Sequence, residues 1–265
     1  MKPNPPYRPD DVTPAYQLRY NWTGWPSANT SFPAEPGDAF FADLADAWES
    51  DGIRLLDRRW SDDEIHLLTS VTPDVPPETF VARSKGRLQY ALRQNETPTS
   101  FARNYAMRTV GDTTRAAVEG YLEKQIAKEG LADPAFEEDL EAFTIRDRSV
   151  DLSEPVATDS GRYWYNLHLV LVIRDRFRVT DDGWLGEIRD VCRAVADKKR
   201  HRLSTLAVVP DHVHMALGGR LEQAPEEIAL AYMNNVAHVL GQTRLWMDSY
   251  YVGGFGEYDM WAVRG

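Results

Sequence analysis

The strongest constraint on this chain's fold is that its two halves repeat one order of elements. A strand-like run from Tyr16, YQLRYNW, answers to YNLHLVLVI from Tyr165. An amphipathic stretch, Ala39 to Glu49, answers to Leu185 to Asp197, with apolar residues at helical spacing in both. IRLLDRRWSDDEIHLLTSV from Ile53 then answers to RLSTLAVVPDHVHMAL from Arg202, so that Glu64 and His66 fall on His212 and His214. Both segments read as two strands about a tight polar turn. A second helix opens behind a proline in each half, PPETFVARSKGRLQYAL from Pro76 and APEEIALAYMNNVAHVL from Ala224. Proline first and glutamate close behind suit a helix N-terminus. NYAMRTVG, Asn104 to Gly111, finally matches SYYVGGFG, Ser249 to Gly256.

Each copy therefore predicts β-α-β-β-α-β. The fold class expected is α+β, two ferredoxin-like units with antiparallel sheets fused in one chain. Only the first copy continues into a third helix, Thr113 to Lys128. The matches divide the chain into an N-terminal tail (1–15), a first unit with the extra helix (16–128), an acidic linker (129–160) and a second unit (161–265).

Composition narrows the function. With 265 residues, 43% of them hydrophobic, the chain can bury one large core or two small ones, which argues against disorder throughout. The longest apolar run, Leu167 to Ile173, is interrupted by His168 and is too short to span a bilayer. The proline-rich start has no signal-peptide core, so a cytoplasmic protein without a membrane partner is expected. A single cysteine, Cys192, permits neither an internal disulfide nor a cysteine-based zinc site. Any metal must then be held by imidazole, carboxylate or amide groups. The net charge of −11 would oppose nucleic-acid binding if it were evenly spread. It is not: ten acids against only Arg146 and Arg148 lie between Glu129 and Asp159, and the remainder is close to balance.

Residues two apart on a strand share a face, so His212 and His214 in PDHVHMAL present two imidazoles side by side, a geometry suited to a metal. In the extra helix, Tyr121 and Gln125 are four residues apart and share a helical face. VVPDHVHMAL (Val208 to Leu217) and NYAMRTVGDTTRAAVEGYLEKQ (Asn104 to Gln125) together resemble the single-tyrosine HUH transposases of insertion sequences and repeat-associated elements. The resemblance implies that His212, His214 and Gln125 hold Mg²⁺ or Mn²⁺. It also implies that Tyr121 attacks a phosphate of single-stranded DNA, giving a 5′-phosphotyrosine link and a free 3′-hydroxyl. A free tyrosine ionises at about 10, so a nearby cation would favour the phenolate, with Lys124 or Lys128 assisting.

Two departures from the family pattern imply asymmetry. The first copy reads SDDEIHLL, with Glu64 where the first histidine belongs and His66 retained, so this second site is degenerate. The second copy keeps both histidines and ends before a tyrosine helix. Family members act as dimers that combine the histidines of one subunit with the tyrosine helix of the other. By that analogy the chain is a covalent pseudo-dimer, needing no further oligomer, with one composite site. A site within the first copy, from Glu64, His66, Gln125 and Tyr121, is the alternative arrangement. Arg83, Lys85 and Arg87 on the second helix of the first copy are candidate phosphate contacts for single-stranded DNA, expected as hairpin ends. The alternative function is an inactive, domesticated protein that binds such DNA, for example as a repressor.

Overall fold

Alternating apolar side chains dictate strands at the expected places, and the helices cover the apolar faces. The computed structural model describes residues 5–95, 99–123 and 140–257. Strand β1 (Thr13–Gln17) precedes the first copy, which runs β2 (Arg19–Pro26), α1 (Asp38–Glu49), β3 (Ile53–Trp60), β4 (Ile65–Val71), α2 (Pro77–Gln94) and β5 (Phe101–Val110). Helix α3 (Arg115–Glu123) follows, and the rest of the expected Thr113 to Lys128 helix lies outside the described residues. Short strands β6 (Thr144–Arg146), β7 (Val156–Thr158) and β8 (Gly161–Trp164) lead to the second copy. That copy runs β9 (Asn166–Val172), α4 (Asp182–Lys199), β10 (Arg202–Val209), β11 (His212–Gly218), α5 (Pro225–Val239) and β12 (Ser249–Gly254).

Two six-stranded, mainly antiparallel sheets result, ordered β1-β12-β9-β11-β10-β6 and β3-β4-β2-β5-β8-β7. Within each, the four strands of one copy keep the order last, first, third, second, as a ferredoxin-like unit requires. The duplicated α+β architecture is thus present in the chain.

The copies are not side by side but laced together. The strand leading into each copy leaves its own sheet and adds in parallel to the last strand of the other: β1 pairs with β12, and β8 pairs with β5. Gln17 stands opposite Gly253 and Trp164 opposite Arg108, which makes Tyr163, not Tyr165, the counterpart of Tyr16. The run YQLRYNW is accordingly two strands broken at Leu18, a correction to its reading as one. The first turns of the second helices repeat the exchange. The Glu78 N–H donates to the Leu221 carbonyl and the Glu226 N–H to the Pro73 carbonyl, both at 2.9 Å. Helix N-termini carry unpaired N–H groups, and each copy satisfies some of the other's.

The segments expected as tail and linker also contribute structure. Tyr7 and Val12, in the expected tail, are buried. The expected linker supplies β6 to one sheet and β7 to the other. The acidic composition of the segment around them does not keep these short strands from pairing. Among the described residues no helix is long and apolar enough to cross a membrane.

Helix α4 shows how local chemistry fixes an element. The Asp181 carboxylate caps it by accepting the Trp184 N–H at 2.9 Å, Lys198 and Lys199 fall in its last turn, and Arg200 closes it in the left-handed region at φ 59°. The turn delivers His201 into the interior, where Nδ1 is 3.0 Å from the Tyr232 hydroxyl and Nε2 is 3.0 Å from Gln223 Oε1. Burial pushes the His201 pKa down to about 4, against a smaller upward pull from Gln223. Because the unfolded chain takes up a proton near 6.5 and the folded chain does not until about 4, this histidine's contribution to stability is present above 6.5. It is lost as pH falls through that window. A His201→Gln variant is expected to lose about 3 kcal/mol less stability than wild type between pH 7 and pH 4, read from thermal melts across that range. Parallel melting curves for the two proteins would refute this.

Candidate active site

Alternation along β11 divides its side chains between two faces. Met215 and Leu217 join the main core under α4 and α5, whereas Ala216 joins a small apolar cluster with Val118 and Leu122 of α3, Leu152 and Phe255. His212 and His214 share the face of Ala216, so they lie beneath the helix that the first copy sends across. Backbone contact makes the crossing possible. At Gly111 a Cβ would meet the Gly254 carbonyl oxygen at 2.6 Å, so only glycine lets the end of β5 pass that close to the end of β12. The Arg115 N–H then donates to the Gly256 carbonyl, and the Arg115 guanidinium pairs with Glu119 at 2.9 Å and Glu257 at 3.2 Å.

That docking brings Tyr121 from the first copy onto the histidines of the second. Its ring centroid is 5.8 Å from that of His214 and 6.3 Å from that of His168, edge-on to both, and the residue is 41% exposed. The His212 and His214 rings are 4.7 Å apart. His212 Nδ1 is 2.6 Å from Asp211 Oδ1, and the other oxygen of Asp211 accepts from Arg176 at 3.0 Å. Burial works to raise the Asp211 pKa, but His212 and Arg176 outweigh it and hold the carboxyl below its usual range. Asp175 and Arg176 both adopt positive φ, 56° and 51°, an uncommon backbone for such residues that turns Arg176 over Asp211.

His214 Nδ1 is 3.0 Å from Nε2 of His168, and the two rings lie edge to edge, their centroids 5.3 Å apart with 16° between their planes. Burial, aided by His168 and His212, lowers the His214 pKa to about 2, and burial alone lowers that of His168 to about 4. Both are neutral imidazoles at physiological pH. With Nδ1 of His212 and His214 engaged, Nε2 is the donor atom left on each.

Sequence reasoning missed His168, Asp211 as an orienting group, and Tyr251, whose ring lies 5.7 Å from that of His168. The one available signal was a histidine interrupting the apolar run of β9. Lys124, Gln125 and Lys128 lie outside the described residues. Among the described residues no three His, Cys, Asp or Glu side chains are grouped to hold a metal ion.

The counterpart face of the first copy is wired differently. His66 Nε2 lies 2.9 Å from Glu64 Oε1, and His66 Nδ1 lies 3.0 Å from Thr23 Oγ1, so both ring nitrogens are engaged within the protein. This pair sits on the sheet of the first copy, whereas the rings around Tyr121 belong to the second. Arg83 and Arg87 both face Asp51 and line a groove of about 430 Å³ between α1 and α2 with Phe40 and Tyr90. Lys85 donates to the Ala102 carbonyl at 2.6 Å, and burial lowers its pKa.

The sequence model of the family described as "Transposase IS200 like" matches residues 37–125 and 162–264, one segment in each copy. The chain belongs to the IS200-like transposase family. The matched segments include both the tyrosine helix and the histidine strand of this transposase. It is also similar to the crystal structure of a candidate transposase from Deinococcus radiodurans R1, at 23% identity and a TM-score of 0.31, over 37% of this chain and 85% of that one. No curated protein matches the transposase in sequence.

Proposed function

We propose that the transposase cuts and rejoins single-stranded DNA in the cytoplasm, at one composite site where Tyr121 of the first copy works against His212 and His214 of the second. The observation that carries this reading is the approach of the Tyr121 ring to the His214 ring, across the two copies. A divalent metal of the Mg²⁺ or Mn²⁺ kind, which the family resemblance implies, takes oxygen donors beside imidazole, and the Gln125 amide and a substrate phosphate would supply them. The imidazoles of His212 and His214 each have Nδ1 anchored, as metal-binding histidines usually do, and Gln125 would complete the set. Such a metal, when bound, would neutralise charge on a phosphate oxygen and favour the phenolate.

The remaining work falls to the chain. Tyr121 is 41% exposed, and in-line attack of its hydroxyl on a phosphodiester would transfer the phosphoryl group to the phenolic oxygen while a 3′-hydroxyl departs. Because one ester bond replaces another, the reverse attack by a 3′-hydroxyl rejoins DNA without a nucleotide cofactor. Packing of Val118 and Leu122 against Ala216 and Phe255 holds the helix in register over the strand, so nucleophile and histidines remain aligned. Hairpin ends are the proposed substrate, with Lys124, Lys128, Arg83 and Arg87 as proposed phosphate contacts.

A denaturing gel tests this. Labelled single-stranded hairpins from the DNA flanking the gene, incubated with the protein and Mn²⁺, are expected to give a slowly migrating covalent adduct. Retention of the same hairpins without any adduct would overturn the nicking reading and favour a DNA-binding protein that has lost its chemistry.

A further inference from the structure

We propose that His168 is a positioning residue for His214, fixing which of its nitrogens is available. The only group within hydrogen-bonding range of His214 Nδ1 among the described residues is Nε2 of His168, at 3.0 Å. Two neutral imidazoles in that contact have two arrangements. Either His214 carries its proton on Nδ1 and donates to His168, which leaves a lone pair on His214 Nε2, or His168 donates and His214 Nε2 carries a proton and cannot act as a ligand. His212 solves the same problem with Asp211, a carboxylate that only accepts. Among the described residues His214 has no carboxylate partner, so the choice rests on the tautomer of His168.

The surroundings fix the place of the His168 ring beside His214. Its ring lies edge to edge with that of His214, and the rings of Tyr121 and Tyr251 both meet it at a steep angle. Gly253 is the direct cross-strand neighbour of His168, and a Cβ there would collide with the Tyr251 hydroxyl. Glycine at that position thus lets Tyr251 lie across the strand against His168. The contact between the two histidines is diagonal, since His168 pairs with Ala216 and His214 with Val170. It therefore needs the two rings to lie nearly coplanar, edge to edge, and the neighbouring side chains hold them so.

The tautomer assignment and its consequence for metal binding rest on the metal site proposed above, not on the nicking chemistry. Nitrogen-15 NMR of the metal-free protein is expected to find the His214 proton on Nδ1. In His168→Leu, which suits the apolar strand, that preference is expected to disappear and Mn²⁺ affinity, measured by calorimetry, to fall about 10–100-fold. In His168→Gln, whose amide oxygen can accept in place of Nε2, affinity is expected to stay within about threefold of wild type. A proton on Nε2 of His214 in wild type would overturn the proposal. So would unchanged affinity in His168→Leu, or equal losses in both folded variants, which would reduce His168 to packing. Should the tautomer and affinities follow expectation while wild type never forms a DNA adduct, the nicking reading fails and this assignment stands.

Discussion

Tyr121→Phe is expected to abolish the covalent adduct proposed above, by at least about 10³-fold, and to leave hairpin retention and folding intact. The ring edges that meet His168 and His214 are kept in phenylalanine, and the position is 41% exposed, so stability is expected to change by no more than about 0.5 kcal/mol. Loss of the hydroxyl then reports chemistry alone. The arrangement of the site is tested by two further variants in the same gel assay. A composite site predicts that His214→Ala removes the adduct and that His66→Ala, on the other sheet and already tied to Glu64 and Thr23, leaves it within about threefold. A site within the first copy predicts the reverse. Adduct retained in both Tyr121→Phe and His214→Ala would sink the assignment of nucleophile and histidines together.

Much of this molecule was legible because its signals are local. The alternation in VVPDHVHMAL puts the histidines on one face and the core on the other whatever lies nearby, and Pro77 and Pro225 open their helices without help from tertiary structure. What escaped depends on partners distant in the chain. Strands β1 and β8 are short, and nothing in their own sequences shows that each completes the other copy's sheet, since that follows from edges exposed elsewhere. For the same reason YQLRYNW reads as one strand although Leu18 divides it between two sheets. His168 looks like a flaw in an apolar run because its partner lies diagonally on the neighbouring strand, a relation that no periodicity encodes. The docking of α3 was reached through family resemblance. Its physical basis, the close passage at Gly111 and the apolar cluster on Ala216, needs coordinates.

The N-terminal segment, expected as a tail, acts as a latch between the copies, and its removal has the largest expected effect on stability. Tyr7 is buried, its hydroxyl accepting the Trp246 N–H at 2.6 Å, and its backbone exchanges two 2.9 Å hydrogen bonds with the Asn234 side chain of α5. Thr13 continues the contact by donating to the Asp248 carbonyl, and β1 then covers the edge of β12. Tyr7→Ala opens a cavity and strands the buried Trp246 amide, so a loss of about 3–5 kcal/mol is expected. For a chain of this size that corresponds to a fall in Tm on the order of 10 °C. Tyr7→Phe removes only the hydroxyl and is expected to cost about 1–3 kcal/mol. Deletion through Gln17 goes further, because it bares the β12 edge beside Tyr251 and Gly253, and aggregation is expected from an unpaired edge strand. Calorimetric melts decide the matter: a Tyr7→Ala protein melting within about 2 °C of wild type would show that the segment merely rests on the second copy, and the lacing of the two sheets would then depend on β8 alone.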